Sequence, residues 1–273
     1  MESLKGENLI EQYERIAEQV RSRIVSVKGV SGILYTGALV RGFADRHSDV
    51  DLIVFLQKGK GELKQRIRKI GADEQQKWKI EIDLEVHYIE DFEKRVMTEI
   101  NMWDYSRSKI VFDPRGRIKQ LLKRKLRVPK SYWVEQVVPC AEYVDWYCCP
   151  QRKSDVALAE TWIERGDPVS AHYCINYAID LLLKIIYALN KEFVPPPKWT
   201  IFYSYNLNWL PHDFKRRLEE ALKIQSVSVT DLKRRLGEMR SIWTEVVSKM
   251  ENDTGLTRDL IAREFRRNIV HQT

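Results

Sequence analysis

The sequence predicts an α+β unit followed by an all-helical unit, and two observations lead to that prediction. Before residue 128, four short apolar runs with strand character lie between helical patterns. After Pro129, nearly all apolar residues recur at helical spacing. We therefore predict two domains, residues 1–128 and residues 129–273, with a sheet only in the first.

The elements of the first domain can be placed in chain order. An amphipathic helix is predicted over residues 7–27, and "GVSGILYTG" then reads as a strand that ends at Gly37. "DVDLIVFL" is a second strand, and "KGKGELKQRIRKIG" is a helix with a breaker at each end. "KWKIEIDLEVHYI" alternates between apolar and polar residues, which predicts a strand with one buried and one acidic face. "SKIVFDPRG" gives a last short strand before a basic helix.

The second domain is predicted to be a bundle around one apolar helix. In "DPVSAHYCINYAIDLLLKIIYALN", Asp167 suits the N-cap and Pro168 the first helical position. The "PPPKW" segment is a rigid connector, and two or three further helices fill residues 211–271. Four aromatic residues at helical spacing are expected in the core of this bundle: Trp133, Tyr143, Trp146 and Tyr147.

Composition narrows the class of protein. The chain has 273 residues and a net charge of +7, so polyanionic partners such as nucleotides or RNA are plausible. Eight of the residues 115–130 are Lys or Arg and none is acidic. Such a basic run most often forms the solvent-exposed face of a helix. The four cysteines include no CxxC pair. We expect no apolar run of this sequence to be long enough to cross a membrane. We expect a reduced, cytoplasmic protein without a membrane partner.

The stretch "GALVRGFADRHSDVDL" places two carboxylates just before a buried strand. Asp49 and Asp51 are two residues apart, so on a strand they project to the same side. Like charges so close repel unless a cation lies between them, and Mg²⁺ prefers such oxygen ligands together with substrate phosphates. A third carboxylate, Asp83 or Glu85, would join them if the acidic strand is a neighbour, and three carboxylates can hold two metal ions roughly 4 Å apart.

The residues before the two aspartates suit a triphosphate. Gly37 allows a tight turn and a close approach of the backbone to phosphates. Arg41 can neutralise phosphate oxygens, although a salt bridge to Asp45 is an alternative. Gly42 permits a further close approach, and Ser48 offers a hydroxyl beside the proposed metal ligands.

Together these residues resemble the signature of the nucleotidyltransferase superfamily related to DNA polymerase β, in its aminoglycoside-modifying and minimal branches. The shared positions, at the spacings of the signature, are Gly37, Arg41, Gly42, Asp45, Ser48, Asp49 and Asp51. Ala38 departs from it, because the family usually has there a serine that hydrogen-bonds a nucleotide phosphate. The resemblance implies a mixed sheet flanked by helices, followed by a helical C-terminal domain.

The resemblance also implies an activity. A substrate hydroxyl would attack the α-phosphate of a nucleoside triphosphate, ATP being favoured, with Mg²⁺ held by Asp49, Asp51 and a third carboxylate. Glu85 is preferred for that third position because the strand continues after it as in the family, and Asp83 is the alternative. The nucleotide-binding set would be Gly37, Ala38, Arg41, Gly42 and Ser48. A small-molecule acceptor suits the size of the chain best, and RNA is a second acceptor class.

Several alternatives stay open at this point. The same fold could serve as a non-catalytic or regulatory, antitoxin-like protein, or as an enzyme that adds nucleotides to RNA ends. A homodimer is compatible with the sequence. The general base could come from the helical domain, where Glu142, Asp145 and Asp180 are unranked candidates. Arg266 and His271 loosely resemble the Arg-x4-6-His signature of HEPN ribonucleases, for which chance is the better explanation.

Overall fold

The computed structural model describes residues 4–57, 61–152 and 154–263, so Arg266 and His271 lie outside the described residues. The described chain divides into two compact units, and the boundary in the sequence falls between Val128 and Pro129. The strands of the first unit are β1 (Val30–Tyr35), β2 (Val50–Leu56), β3 (Ile82–Tyr88) and β4 (Lys109–Phe112). Its helices are α1 (Ile10–Val25), α2 (Gly37–Arg41), α3 (Glu62–Trp78), α4 (Ile89–Lys94), α5 (Glu99–Arg107) and α6 (Arg117–Lys125).

The four strands form one mixed sheet in the order β3-β2-β1-β4. β1 runs antiparallel to both of its neighbours, whereas β2 and β3 are parallel. Parallel neighbours need a crossover, and α3 provides it by packing on β3. Gly71 of α3 allows the close approach, since a Cβ there would lie 2.5 Å from Cδ1 of Leu84. The crossover brings the start of β3 beside the start of β2.

Each face of the sheet is covered by helices. One hydrophobic cluster joins α1 and α3 to the side chains that β1 and β2 direct to that face, including Ile33 and Val54. A second cluster joins α4, α5 and α6 to the opposite face, where Phe55 and Phe92 pack edge to face with ring centroids 5.0 Å apart. This is the mixed sheet flanked by helices that the sequence predicts for the first unit.

The second unit is entirely helical within the described residues. Its helices are α7 (Lys130–Tyr147), α8 (Leu158–Glu164), α9 (Pro168–Leu189), α10 (Pro197–Ser204), α11 (Phe214–Leu222) and α12 (Val229–Thr254). Asp167 caps α9 as predicted, because its Oδ1 accepts hydrogen bonds from the backbone N–H groups of Val169 and Ser170. Pro168 occupies the first helical position, also as predicted.

The central helix α9 packs against α7, α8, α10 and α12. By length and composition it could cross a membrane, which corrects the expectation that no segment reaches this threshold. However, 56% of the apolar window is buried inside the protein, and the two charged residues of its later half, Asp180 and Lys184, lie on the exposed side. The core of the helical unit therefore accounts for the apolar composition of α9.

Two arginines tie this unit together, the buried Arg235 and the partly buried Arg258. The guanidinium of the fully buried Arg235 donates to the carbonyl oxygen of Ala221 at 2.6 Å, to Nδ1 of His172 at 2.7 Å and to Oδ1 of Asn176 at 2.5 Å. Arg258 donates to both carboxylate oxygens of Asp145. Each arginine thus joins helices that are distant in sequence.

Candidate active site

The site begins where β1 ends and the chain turns into α2. Gly37 adopts a left-handed conformation with φ +55°, and a Cβ at this position would lie 1.8 Å from Oδ2 of Asp51. The backbone N–H of Thr36 donates to the carbonyl oxygen of Asp51 at 3.2 Å, which holds the two segments together. Only glycine is compatible with both the dihedral angle and the carboxylate against it.

The carboxylate of Asp51 is partly buried and lies near other negative charges. Burial, followed by the charges of Asp49 and Asp83, raises its pKa to about 7, while the charge of Arg41 acts in the opposite direction. Asp83 is the register partner of Asp51 across the parallel β2–β3 pair, so both side chains emerge on the same face of the sheet. Three carboxylates therefore converge at the start of β2 and β3.

Glu85, the preferred third carboxylate of the sequence prediction, has a different environment. It pairs with Ile53, one step further along the same face from Asp51. Its Oε1 lies 2.8 Å from Nε2 of His87 and 3.2 Å from Nη1 of Arg95. The hydrogen bond with His87, and then the charges of His87 and Arg95, lower the pKa of Glu85 against the effect of burial. The geometry therefore favours Asp83, the alternative, as the carboxylate that joins Asp49 and Asp51.

Ser48 closes the loop before the two aspartates. Its hydroxyl accepts from the backbone N–H of Asp45 at 3.0 Å and lies 3.2 Å from Oδ1 of Asp45. The hydroxyl of Tyr13 lies within hydrogen-bond distance of the carbonyl oxygens of both Asp45 and Ser48. These contacts engage the Ser48 hydroxyl within the turn, where it fixes the backbone that leads to Asp49.

The remaining predicted nucleotide-binding residues lie on α2 and at its end. Ala38 is completely buried in the cluster of α1 and α3, so the structure does not favour a contact between its side chain and a nucleotide. Arg41 lies in the last turn, and its charge acts to lower the pKa of both Asp51 and Asp45. Gly42 ends the helix in a left-handed conformation with φ +73°.

The donor set suits a hard divalent cation. Partial burial and the charges of Asp49 and Asp83 oppose the ionisation of Asp51, and a bound cation would favour the ionised carboxylate instead. In the described part of the chain, no three His, Cys, Asp or Glu side chains are already arranged as a ligand set. The arrangement matches Mg²⁺, which binds through one or two carboxylates together with substrate phosphates.

Among the three candidate general bases of the helical unit, Asp145 already has hydrogen-bond partners on both carboxylate oxygens. Burial raises its pKa, opposed by Arg258 and by the indole N–H of Trp243, which donates to Oδ1 at 2.8 Å. Asp180 lies on the exposed side of α9. The structure thus gives Asp145 a structural role within its own unit and makes it the weakest of the three candidates.

Residues 14–128 match the family model of the nucleotidyltransferase domain. This match covers 115 of the 273 residues and supports a nucleotidyltransferase domain in this part of the chain. The matched segment contains the whole sheet and all three carboxylates, and a domain of this family supports transferase activity. Comparison with curated proteins gives no significant match.

Solved structures give distant similarities. A nucleotidyltransferase-like protein from Exiguobacterium sibiricum 255-15 is 10% identical, with 88% of this chain and 77% of that chain covered and a TM-score of 0.41. A mutant of the toxin–antitoxin MntA-HpeT is 10% identical over 49% of this chain and 95% of that chain, with a TM-score of 0.32. A toxin–antitoxin structure with AMP-PNP is 11% identical over 49% and 95% of the two chains, with a TM-score of 0.31.

Proposed function

We propose that the nucleotidyltransferase domain transfers a nucleoside monophosphate, AMP from ATP, to a hydroxyl group of an acceptor in a Mg²⁺-dependent reaction. The main support is the partly buried carboxylate of Asp51, packed against Gly37 and flanked by Asp49 and Asp83. With its pKa raised this far, the ionised form of the carboxylate is unfavourable at neutral pH unless a cation binds to it. Its position in a nucleotidyltransferase domain makes a metal–nucleotide complex the best explanation.

Each residue has a role in this proposal. Asp49 and Asp51 would hold Mg²⁺, with Asp83 completing the set, and the metal would neutralise charge on the triphosphate. Arg41, which already acts on the charge of Asp51, would face phosphate oxygens. Gly37 would keep the turn open for the phosphates. Positioning and charge neutralisation supply most of the rate enhancement in such reactions.

The chemical step is a substitution at the α-phosphorus. The acceptor oxygen forms a bond to that phosphorus, the bond to the α–β bridging oxygen breaks, and pyrophosphate leaves with the electron pair. The proton of the acceptor hydroxyl passes to a base, for which Glu142 and Asp180 remain the candidates. Asp145 is disfavoured because its carboxylate is held by Arg258 and Trp243.

Label transfer distinguishes this reaction from phosphoryl transfer. ATP labelled at the α-phosphate should transfer its label to an acceptor fraction in the presence of Mg²⁺, whereas ATP labelled at the γ-phosphate should not. The variant Asp49→Asn should abolish transfer. The matched variant Asp73→Asn should retain it, because the partners of Asp73 are Lys69 and Arg23. Transfer of the γ-label, or Mg²⁺-independent transfer, would contradict the proposal.

A pair of variants tests the third carboxylate. Asp83→Asn should lower kcat by about 100-fold or more, because it removes one of the three converging charges. Glu85→Gln should change kcat only a few-fold, since its partners are His87 and Arg95. The reverse order of effects would restore Glu85 as the metal-binding residue.

For the acceptor we propose a small molecule, which suits a chain of this size. Metabolite, protein and RNA fractions of one extract, separated by size and nuclease treatment, should be offered in parallel with α-labelled ATP. Label in the metabolite fraction supports the proposal. Label found only in protein or RNA assigns a different acceptor class.

Transfer to an RNA end is a second candidate because α6 has a strongly basic exposed side. Its apolar residues Ile118, Leu121 and Leu122 are buried against the sheet, so the exposed side is almost wholly basic. The exposed basic residues on α6 and next to its two ends are Arg115, Arg117, Lys119, Lys123, Arg124 and Arg127. Salt-dependent binding of single-stranded RNA would support this candidate. For each phosphate contact, the logarithm of the binding constant should fall by roughly 0.7 for every tenfold increase in salt concentration.

A non-catalytic or regulatory role is favoured by a single residue. Ala38 supplies no hydroxyl to a nucleotide and is buried. If the folded wild-type protein binds no ATP with Mg²⁺ in isothermal titration, this reading replaces the enzymatic one. Metal-dependent binding that is lost in the variant Asp49→Asn rejects it.

A further inference from the structure

The loop of residues 42–48 connects α2 to β2 and leads directly to Asp49. All seven of these residues are described, and they form neither helix nor strand. A segment outside regular structure needs other partners for its backbone N–H and C=O groups. In this loop the start of α1 supplies several of them, and these contacts determine where Asp49 lies.

Asn8, just before α1, binds the first half of the loop. Its Oδ1 accepts from the backbone N–H of Ala44 at 3.1 Å, and its Nδ2 donates to the carbonyl oxygen of Gly42 at 3.0 Å. The same Oδ1 accepts from the N–H of Ile10 at 3.1 Å, and the N–H of Leu9 donates to the carbonyl oxygen of Ala44 at 2.7 Å. One side chain therefore joins the beginning of α1 to the beginning of the loop.

Tyr13, in the first turn of α1, binds the second half of the loop. Its Oη lies 2.8 Å from the carbonyl oxygen of Asp45 and 3.1 Å from that of Ser48, so its single proton is shared between two acceptors. The side chain is only 3% exposed. Burial, and then the charges of Asp45 and Asp49, raise the pKa of Tyr13, so the hydroxyl remains a donor.

The peptide groups on both sides of Asp49 are hydrogen-bonded. The carbonyl oxygen of Ser48 belongs to the peptide group before Asp49 and accepts from Tyr13. The N–H of Val50 belongs to the peptide group after Asp49 and donates to the carbonyl oxygen of Glu81 at 2.9 Å. Because peptide groups are planar, fixing both of them leaves little freedom for the Cα of Asp49. The segment before β3 fixes one side of this residue, and Tyr13 fixes the other.

We propose that Asn8 and Tyr13 are positioning residues of the active site, which hold the loop so that Asp49 can bind the metal–nucleotide complex. They act through Asp49 and contact neither the metal ion nor the nucleotide. Groups that orient a metal-binding side chain typically contribute 10–100-fold to metal affinity or activity. The proposal rests on the proposed function, because that function gives Asp49 a metal ion to bind.

Isothermal titration of ATP in the presence of Mg²⁺ tests this role in the full chain. Tyr13→Phe keeps the buried ring and removes only the hydroxyl, whereas Asn8→Ala removes the contacts to Gly42 and Ala44. Each variant should raise the Kd for ATP by about 10–100-fold. A higher Mg²⁺ concentration should restore most of the binding, because Asp49 is displaced but still present. A purely structural role would give no such recovery with Mg²⁺.

The matched control is Tyr35→Phe. Tyr35 is also buried, and its hydroxyl lies 3.4 Å from Oε2 of Glu18 on the same helix α1, outside the loop. This variant should bind ATP as the wild-type protein does. Asn8 is exposed, so Asn8→Ala still tests the proposal if Tyr13→Phe fails to fold by circular dichroism. Hydrogen exchange at the amide of Ala44 should be faster in Asn8→Ala than in the wild-type protein.

The outcomes separate this proposal from the proposed function. A folded wild-type protein that binds no ATP with Mg²⁺ overturns both. Wild-type binding that is unchanged in Asn8→Ala and Tyr13→Phe overturns the positioning role alone and leaves the proposed function in place. The positioning role is also overturned if Tyr35→Phe weakens binding as much as Tyr13→Phe does, or if added Mg²⁺ restores binding in neither variant.

Discussion

Replacing Asp51 with Asn should make the metal-free protein more stable while it abolishes nucleotide binding. Asp51 ionises with a pKa of about 7 in the folded protein, against an ordinary value of 3.8. Burial is the largest cause, followed by the charges of Asp49 and Asp83. Asn has nearly the same shape and no charge, so the variant removes this repulsion and little else.

The magnitude follows from linkage. Because the pKa of an acid is raised on folding, the folded state holds the Asp51 proton more tightly and loses stability as pH rises from about 4 to about 7. Each pKa unit corresponds to about 1.4 kcal/mol, so ionised Asp51 costs about 4 kcal/mol above pH 7. At pH 5 only part of this cost has developed, about 1.5 kcal/mol. The stabilisation of Asp51→Asn should therefore grow by about 2–3 kcal/mol between pH 5 and pH 8.

Urea unfolding in EDTA at pH 5, 6.5 and 8 measures these free energies directly. The matched control is Asp45→Asn, in the loop just before, because hydrogen bonding from the backbone N–H of His47 lowers the pKa of Asp45 rather than raising it. This control should show no gain in stability at pH 8. If Asp51→Asn is no more stable than wild type at pH 8, or if its gain does not change with pH, the electrostatic description of the site is wrong.

Three further predictions follow from the same contacts. Gly37→Ala should abolish Mg²⁺-dependent ATP binding in titration calorimetry, because the added Cβ meets Asp51. The control Gly116→Ala is also left-handed, at φ +63°, but its Cβ would lie in open space, so this variant should retain binding and lose only about 1–2 kcal/mol of stability. Arg258→Met should cost about 3–5 kcal/mol in urea unfolding at pH 8 and less at pH 5, where Asp145 can bind a proton; equal costs at both pH values would contradict this. Mg²⁺ should raise the Tm of the wild-type protein more at pH 8 than at pH 6, because it competes with the proton on Asp51; a pH-independent rise would exclude that competition.

The sequence predicts much of this fold because its signals are local. The strict alternation of residues 80–88 predicts β3, and Asp167 with Pro168 predicts the start of α9. The short helix α2 was not predicted, since five residues after a strand carry no periodic signal. Its formation depends on Gly37, whose left-handed conformation is compatible with the close approach of Asp51.

The choice between Asp83 and Glu85 shows where sequence reasoning ends. Both residues lie on the polar side of β3, and nothing in either strand alone fixes how β2 and β3 align. The crossover through α3 sets the alignment and places Asp83, not Glu85, opposite Asp51. Likewise, only the tertiary structure reveals that His87 and Arg95 are already partners of Glu85.

The exposure of Trp146, which the sequence analysis predicts to lie in the core, has the same cause. Helical periodicity groups Tyr143, Trp146 and Tyr147 on neighbouring positions of α7, and such groups usually face a core. Here the core side of α7 is occupied by Val137, Ala141 and Val144. Because α7 is apolar on more than one side, the sequence could not indicate which side remains in water.

The energetics of Asp51 also distinguish an active site from a decayed one. Ionised Asp51 costs about 4 kcal/mol above pH 7, a large part of the 5–15 kcal/mol that stabilises an ordinary protein. Nearly any neutral side chain at this position would relieve that cost, so a chain without use for the carboxylate gains stability by losing it. This chain keeps Asp51, the flanking Asp49 and Asp83, and the Gly37 that makes room for them. That combination is expected where a cation and a triphosphate bind, and it weighs against reading Ala38 as the first loss of a decaying site.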